Sequence, residues 1–251
     1  MLGRARTPDE VAWHEVECGT YSADLPLWEE LAEEHGGPIL ELGCGTGRVA
    51  LDLARRGHEV LGLDTERELV ETLNARAGAA GLPARAIVAD AASFQLDEVF
   101  PLVIAPMQLV QLLDQARRRA MLARAFARLE RGGILAAAIV EAARLPGPTT
   151  EPARDDPPPP PDVRELDGWI YSSLPLDVRR ANEAISIERL RQAVAPGGEL
   201  TEEVDITQLE PLSPGKLENE ARDVGLQARR RRDVPPTDWH VGSTVCVLEA
   251  P

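Results

Sequence analysis

The chain has 251 residues, of which 43% are hydrophobic and 27% are charged, and its formal net charge is −15. That size and composition fit one α/β domain with a modest insertion. The negative charge disfavours a nucleic-acid partner, because proteins bind phosphates through Lys and Arg, and three scattered cysteines predict neither a disulfide framework nor a metal site.

The ends and the basic residues bear on location and partners. Residues 1–6 lack the apolar core of a signal peptide, and no apolar run reaches the ~18 residues that span a bilayer. We therefore expect a cytoplasmic protein without membrane contact. Lys216 is the only lysine, which is typical of a GC-rich, bacterial genome. The arginine run at 229–232 fits a charged strand near the sheet edge better than a nucleic-acid patch.

Helix and strand patterns alternate through the first half of the chain. Residues 1–23 show no strong period and are expected to be a leading arm, and 25–35 form an amphipathic helix that Asp24 could cap. Helices of about 10–15 residues between apolar strands predict a parallel sheet with both faces covered. The predicted strands are 39–42, 59–63, 84–89, 102–105 and 134–140, and the clearest helices between them are 47–56 and 115–130.

The pattern changes near residue 143. Residues 146–161 hold eight prolines and are expected to form an extended linker. Strands predicted at 168–174, 184–190 and 200–209 then form a small antiparallel insertion, after which the α/β pattern resumes. The last predicted elements are a helix at 216–224 and strands at 227–233 and 242–248.

These elements predict an α/β fold: a Rossmann-like, seven-stranded mixed sheet with helices on both faces, plus a small antiparallel β lid after the fifth strand. Residues 1–142 and 206–251 form the main domain, and residues 143–205 form the proline-rich linker and the lid.

The sharpest motif is the turn after the first strand, ELGCGTG at residues 41–47. Glycines let a backbone turn tightly and approach a ligand, and open α/β sheets bind ligands beyond the carboxyl ends of their strands. A dinucleotide fingerprint would need a third glycine where Arg48 stands, and no Walker lysine follows. The turn thus favours a ligand without pyrophosphate, carrying a cationic sulfonium and an α-amino group.

Two acids follow at the ends of neighbouring strands. Asp64 lies seventeen residues after Gly47, where a carboxylate can accept both hydroxyls of a ribose. Asp90 ends the third strand in the equivalent place and can meet an adenine amino group. The segment 105–108 follows the fourth strand beside the same cleft.

With these motifs and LERGGIL at residues 129–135, the chain resembles the class I S-adenosylmethionine-dependent methyltransferases over about 20–142 and 206–251. The resemblance implies S-adenosylmethionine as cofactor and S-adenosylhomocysteine as product. It implies that the glycine turn faces the methionine portion, Asp64 the ribose and Asp90 the adenine. The expected cofactor-binding residues are Tyr21, Glu41, Gly43, Cys44, Gly45, Gly47, Asp64, Thr65, Asp90, Ala91, Ala105 and Met107.

The acceptor side is less defined. The segment 106–108 lacks the Asn-Pro-Pro-Tyr-type motif of many methyltransferases of bases and proteins, and the insertion resembles the lid of small-molecule members. The resemblance therefore implies methyl transfer to N or O of a small molecule, by a monomer or homodimer. The candidate catalytic residues are His14, Gln108 and His240, and the aromatic residues Trp169 and Tyr171 either face the substrate or pack the lid.

Two other functions stay open. One is a nucleotide-cofactor oxidoreductase, against which Arg48 argues. The other is a non-catalytic module that binds S-adenosylmethionine and meets a protein partner through the lid.

Overall fold

The computed structural model describes residues 10–141, 160–181, 184–237 and 240–251. Within these ranges the helices are α1 (Glu10–Glu17), α2 (Leu25–His35), α3 (Arg48–Arg55), α4 (Arg67–Ala80), α5 (Leu109–Leu112), α6 (Gln115–Phe126) and α7 (Pro214–Asp223). The strands are β1 (Ile39–Leu42), β2 (Val60–Asp64), β3 (Ala84–Val88), β4 (Phe100–Ala105), β5 (Leu129–Ile139), β6 (Asp162–Leu166), β7 (Trp169–Ala181), β8 (Ala184–Val194), β9 (Leu200–Leu209), β10 (Gln227–Ala228), β11 (Arg232–Val234) and β12 (Ser243–Glu249). No helix among the described residues is long and apolar enough to cross a membrane.

The main sheet confirms the predicted fold class. Its strand order is β10-β12-β5-β4-β1-β2-β3, with β11 also paired to β12. The five strands β1, β2, β3, β4 and β5 are parallel to one another, whereas β12 runs antiparallel to β5. The sheet is therefore mixed. This order puts the carboxyl ends of β1, β2, β3 and β4 along one edge, where a ligand of an open α/β sheet binds.

The sheet has eight strands rather than the predicted seven, because the strand predicted at 227–233 forms two pieces. β10 pairs Ala228 with Leu248, whereas β11 pairs Arg232 with Val245. The register therefore shifts by one residue between the two pieces, as in a β-bulge, and both pieces stay paired with β12.

The core has two layers, one on each face of the sheet. One layer packs α2, α3 and α4 around Trp28, and the other packs α5, α6 and α7 around Phe100. All four residues of β1 are buried, as expected for a strand covered on both faces.

The lid is a separate antiparallel sheet in the order β6-β7-β8-β9. It has four strands where three were predicted, because residues 162–166 also pair, in full register with β7. The short sequence DVREL alternates only in part and directly follows a proline run, so it gave no clear strand signal. Most of the proline-rich linker predicted at 146–161 lies outside the described residues, which resume at residue 160.

The expected leading arm is wrong for residues 10–17, which form α1. The buried side chains Ala12, Trp13 and Val16 pack against Tyr171 and Ala193 of the lid. An isolated helix of eight residues is unstable in water, so these tertiary contacts, rather than a long periodic pattern, support α1.

One buried ion pair fastens the segment after the lid to the main domain. The Arg118 guanidinium of α6 donates to both carboxylate oxygens of Glu220 in α7, at 2.7 and 3.0 Å, and to the carbonyls of Val110 and Leu113. The Arg118 side chain is fully buried and that of Glu220 is 5% exposed. Removing one partner therefore leaves the other charge without compensation in the core.

We expect Glu220→Ala to lower the free energy of unfolding by about 3–5 kcal/mol, since it leaves the Arg118 charge buried and unpaired. Asp223→Ala, which removes the exposed partner of Arg119 at 3.1 Å one turn away, is the control and should cost less than about 1 kcal/mol. Urea unfolding measures both. Similar losses for the two variants would contradict this role of Glu220.

Candidate functional site

The turn after β1 is tied to the end of β2 by backbone hydrogen bonds. The N–H groups of Gly43 and Cys44 donate to the Leu63 carbonyl at 2.8 and 3.0 Å. The Gly45 N–H donates to the Asp64 carboxylate at 2.8 Å, and the other carboxylate oxygen accepts from the backbone N–H that follows at Glu66, at 3.0 Å. The structure thus brings the glycine turn and Asp64 together, and each carboxylate oxygen keeps a lone pair for a further donor.

The three glycines of the turn lie against protein side chains, which differs from the expected reason for them. A Cβ at Gly43 would lie 2.9 Å from Leu109, one at Gly45 2.2 Å from His14 Nε2, and one at Gly47 2.8 Å from Leu51. All three also have positive φ angles, of 69°, 52° and 95°. Glycine is therefore required by the local packing and the backbone conformation, before any ligand is considered.

Cys44 contributes only its main chain to the turn. Its thiol packs against Gly62 of β2, where a Cβ would approach Sγ to 2.6 Å. Burial raises the pKa of the Cys44 thiol far above its ordinary value. The thiol is therefore a small core group and not a nucleophile.

Glu41 is a buried acid behind the turn. Its side chain is 2% exposed, and Oε2 has no hydrogen-bond partner. Burial raises the pKa of Glu41 to about 8, although the nearby Arg48 charge acts in the opposite direction. A carboxyl with this pKa is mostly protonated near pH 7, so Glu41 lies behind the turn as a buried neutral group.

Arg48 has a structural role that its sequence position alone did not reveal. Its guanidinium donates to both carboxylate oxygens of Asp24, at 2.6 and 2.8 Å, and the same carboxylate accepts from Trp28 Nε1 at 2.9 Å. Asp24 therefore makes no side-chain cap on α2. Arg48 also donates to the Tyr21 carbonyl at 2.9 Å and lies over the Tyr21 ring, which fixes Tyr21 beside the turn.

His14 lies directly over Gly45. Its Nδ1 is 3.2 Å from the Thr46 hydroxyl, and that hydroxyl donates to the Glu15 carboxylate, which Arg76 also contacts at 2.8 Å. The Thr46 hydroxyl has one hydrogen, which it donates to Glu15. The hydrogen of its contact with His14 must therefore be on Nδ1. Burial lowers the pKa of His14. The ring is therefore neutral near pH 7, and Nε2 presents a lone pair at the turn.

Two further predicted site residues, Tyr21 and His240, contact each other. The Tyr21 and His240 rings are 4.6 Å apart between centroids. His240 Nδ1 is 3.2 Å from the Thr237 hydroxyl, and burial lowers the pKa of His240. The charges of Asp162 and Arg189 on the lid act on this histidine, so His240 lies near the lid. The third catalytic candidate, Gln108, is the N-cap residue just before α5, and its side chain makes no capping hydrogen bond to that helix.

Asp90, which was expected near the adenine, already has hydrogen-bond partners in the protein. The Asp90 carboxylate accepts from the Ala92 N–H and from Arg117, both at 2.8 Å, which leaves it fewer free lone pairs than expected. Met107 has a φ of +55°, a strained backbone that is common at functional sites. Ala91 and Ala105 are buried and Thr65 is exposed.

The lid aromatic residues pack the lid, which was one of the two expectations. Tyr171 is 4% exposed, and its ring meets the Trp13 ring edge-on at 5.1 Å. Trp169 stacks on Tyr171 at 6.1 Å. Their apolar area therefore joins the lid to α1.

Gln111 is a site residue that sequence reasoning missed. It is fully buried, and its amide bonds both the N–H and the carbonyl of Val140 and the carbonyl of Glu210. It thereby fastens both chain segments that lead into and out of the lid. A single glutamine in a short helix gives no signal of this role.

Comparisons with known proteins concern the sequence family and the fold. Residues 39–133 match the family described as a methyltransferase domain. Among solved structures, the CcbJ methyltransferase from Streptomyces caelestis superposes with a TM-score of 0.68 at 21% identity, covering 91% of this chain and 90% of the other. The sugar N-methyltransferase KedS8 from Streptoalloteichus gives 0.73 at 17% identity, covering 100% and 96%.

A curated relative is similar over a shorter stretch. The S-adenosyl-L-methionine-dependent Diels–Alderase iccD from Talaromyces variabilis is 42% identical over 71 residues, which are 28% of this chain. The chain covers only 24% of the length of that relative.

The buried Glu41 predicts a pH-dependent stability. Its pKa is raised from an ordinary value of 4.5 to about 8 in the fold, so the folded state binds a proton that the unfolded state releases between these values. The stabilisation is fully present below about pH 4.5 and is lost as the pH rises through about 8. Relative to Glu41→Gln, the native protein should lose up to about 4 kcal/mol between pH 5 and 9.

Urea unfolding at several pH values measures this difference. Glu59→Gln, at an exposed glutamate immediately before β2, is the control and should show no such trend. A difference between the native protein and Glu41→Gln that stays constant from pH 5 to 9 would disprove the assignment.

Proposed function

We propose that the chain is a class I S-adenosylmethionine-dependent methyltransferase that transfers a methyl group from S-adenosylmethionine to N or O of a small-molecule acceptor; the match of residues 39–133 to the methyltransferase-domain family and the shared fold support this. The observation that carries the proposal is the glycine turn held against the Asp64 carboxylate by the 2.8 Å bond from Gly45. In this proposal the turn holds the methionine portion and Asp64 holds the ribose.

The groups around the turn fit a cationic cofactor. The Asp64 carboxylate has free lone pairs, and the neutral His14 presents an acceptor nitrogen over the turn. When bound, S-adenosylmethionine supplies an activated methyl on a cationic sulfonium. Negative and acceptor groups placed beforehand stabilise such a cation in a site shielded from water.

On the acceptor side, side chains of the protein position the methyl acceptor and take up its proton. Proximity and alignment alone account for much of the rate of a displacement at an activated methyl. An acceptor hydroxyl also needs a base, and an amine must arrive neutral. His240 has a lowered pKa, so we propose it as the proton acceptor, with Tyr21 beside it; the free nitrogen of the other histidine candidate, His14, lies over the cofactor turn.

A small acceptor is also favoured by charge. The chain carries a net charge of −15, and three arginines of the 229–232 run are paired with acids. Arg229 pairs with Glu249, Arg231 with Glu218, and Arg232 with Glu30 and Glu34. These arginines are therefore poor phosphate ligands, and the lid opposite the cofactor turn encloses a small substrate better than a polymer.

A second function is favoured by one specific observation. The curated relative that is similar over 71 residues is named as a Diels–Alderase that depends on S-adenosyl-L-methionine. The alternative function for this chain is therefore an S-adenosylmethionine-dependent cyclisation rather than methyl transfer. Incubation with a metabolite panel separates the two functions: methyl transfer releases S-adenosylhomocysteine, whereas the alternative converts an acceptor and leaves S-adenosylmethionine intact.

We expect Asp64→Ala to weaken binding of S-adenosylmethionine and S-adenosylhomocysteine by about 1–3 kcal/mol, because hydrogen bonds to a charged group are lost. Isothermal titration calorimetry measures the change. Asp97→Ala makes the same substitution in the exposed loop before β4, at the opposite edge of the sheet, and should bind like the native protein. Folded native protein that binds neither compound would refute the proposed function.

A further inference from the structure

α1 contacts the glycine turn and the lid at once. His14 and Glu15 face the turn and bond Thr46. Trp13 and Glu17, four residues apart and hence on one side of the helix, face the lid. The same eight residues therefore touch both the proposed cofactor site and the sheet that covers the acceptor.

The lid side of this contact is built around Glu17. Its carboxylate accepts from Arg191 at 2.8 and 2.7 Å and from the Ser173 hydroxyl at 2.8 Å. Ser173 in turn accepts from Arg189 Nε at 2.8 Å, and the Arg191 guanidinium lies 5.3 Å from the centroid of the Trp13 ring. These bonds join α1 to β7 and β8, the two central strands of the lid.

This ion pair is stronger than an ordinary surface pair. The side chains of Glu17 and Arg191 are each only 14% exposed. Burial alone would raise the pKa of Glu17, but the hydrogen bonds and charge of Arg191, with Ser173, hold the pKa below its ordinary value. A bidentate, partly buried pair of this kind fixes orientation as well as adding energy.

The turn side of the contact offers an unused acceptor. Nε2 of the neutral His14 lies over Gly45, and an ammonium group bound at the turn can donate to that nitrogen. Since α1 is too short to be stable by itself, a new hydrogen bond to His14 reduces the motion of the whole helix. Because Trp13 and Glu17 contact the lid, a less mobile α1 also reduces the motion of the lid strands.

We propose that α1 couples the cofactor turn to the lid, with Glu17 as the positioning residue, so that cofactor binding orders β7 and β8 over the acceptor site. This inference rests on the proposed function, because it takes S-adenosylmethionine to bind at the turn. The acceptor is thereby expected to bind after the cofactor, to a lid already held in place.

Hydrogen–deuterium exchange with S-adenosylhomocysteine as the probe tests the coupling in the full chain. Saturating S-adenosylhomocysteine should slow amide exchange at residues 43–47 and, at least about fivefold, in β7 and β8 of the native protein. In Glu17→Gln, which keeps the shape of the side chain, the turn should still be protected while the effect on β7 and β8 disappears.

Two further variants sharpen the test. Glu218→Gln removes a bidentate pair with Arg231, at 2.6 and 2.8 Å, far from α1, and should keep the full effect on the lid. Arg191→Gln should remove the effect as Glu17→Gln does, and the double variant should lose no more than either single one, because the two residues act as a unit.

The outcomes separate the two claims. Protection of the turn without protection of β7 and β8 in the native protein, or an undiminished lid effect in Glu17→Gln, overturns the coupling and leaves the proposed function standing. Absence of protection at 43–47, together with no binding heat, overturns the proposed function itself.

Discussion

The hydrogen bond from the Gly45 N–H to the Asp64 carboxylate, at 2.8 Å, joins the turn after β1 to the end of β2. The parallel sheet brings the two strand ends to one edge, and this bond fixes how the turn sits on that edge. It orients Asp64 while leaving lone pairs on both of its oxygens. Together with the bonds from the Gly43 and Cys44 N–H groups to the Leu63 carbonyl, it places the turn and the carboxylate side by side.

Three supports hold this surface in place. The Arg48–Asp24 pair clamps the segment around Tyr21 beside the turn, and His14 lies on Gly45 from above. Glu41 lies buried behind the turn. The Asp64 carboxylate and the neutral imidazole of His14 thus flank the proposed position of a cation, and the low local dielectric strengthens each interaction. The same arrangement would repel a phosphate, which agrees with the missing third glycine at position 48.

Most of the strands and the glycine turn were predicted from the sequence, because hydrophobic periodicity and turn chemistry are local properties. The spacing of the glycines and Asp64 predicted which groups would meet, and the apolar strands predicted the sheet. The reason for the glycines was not accessible, since His14 and Leu109 reach the turn from distant parts of the chain. α1 was missed because eight residues carry too little periodicity, and the role of Asp24 was missed because its partner Arg48 lies twenty-four positions away.

A crystal structure of the protein with S-adenosylhomocysteine tests the central claim most directly. The account predicts the ribose hydroxyls within about 2.6–3.2 Å of the Asp64 carboxylate, with the homocysteine portion along residues 43–47 and its amino group toward His14 Nε2. A ligand bound elsewhere on the chain, or at this edge of the sheet without contact to Asp64, would contradict it.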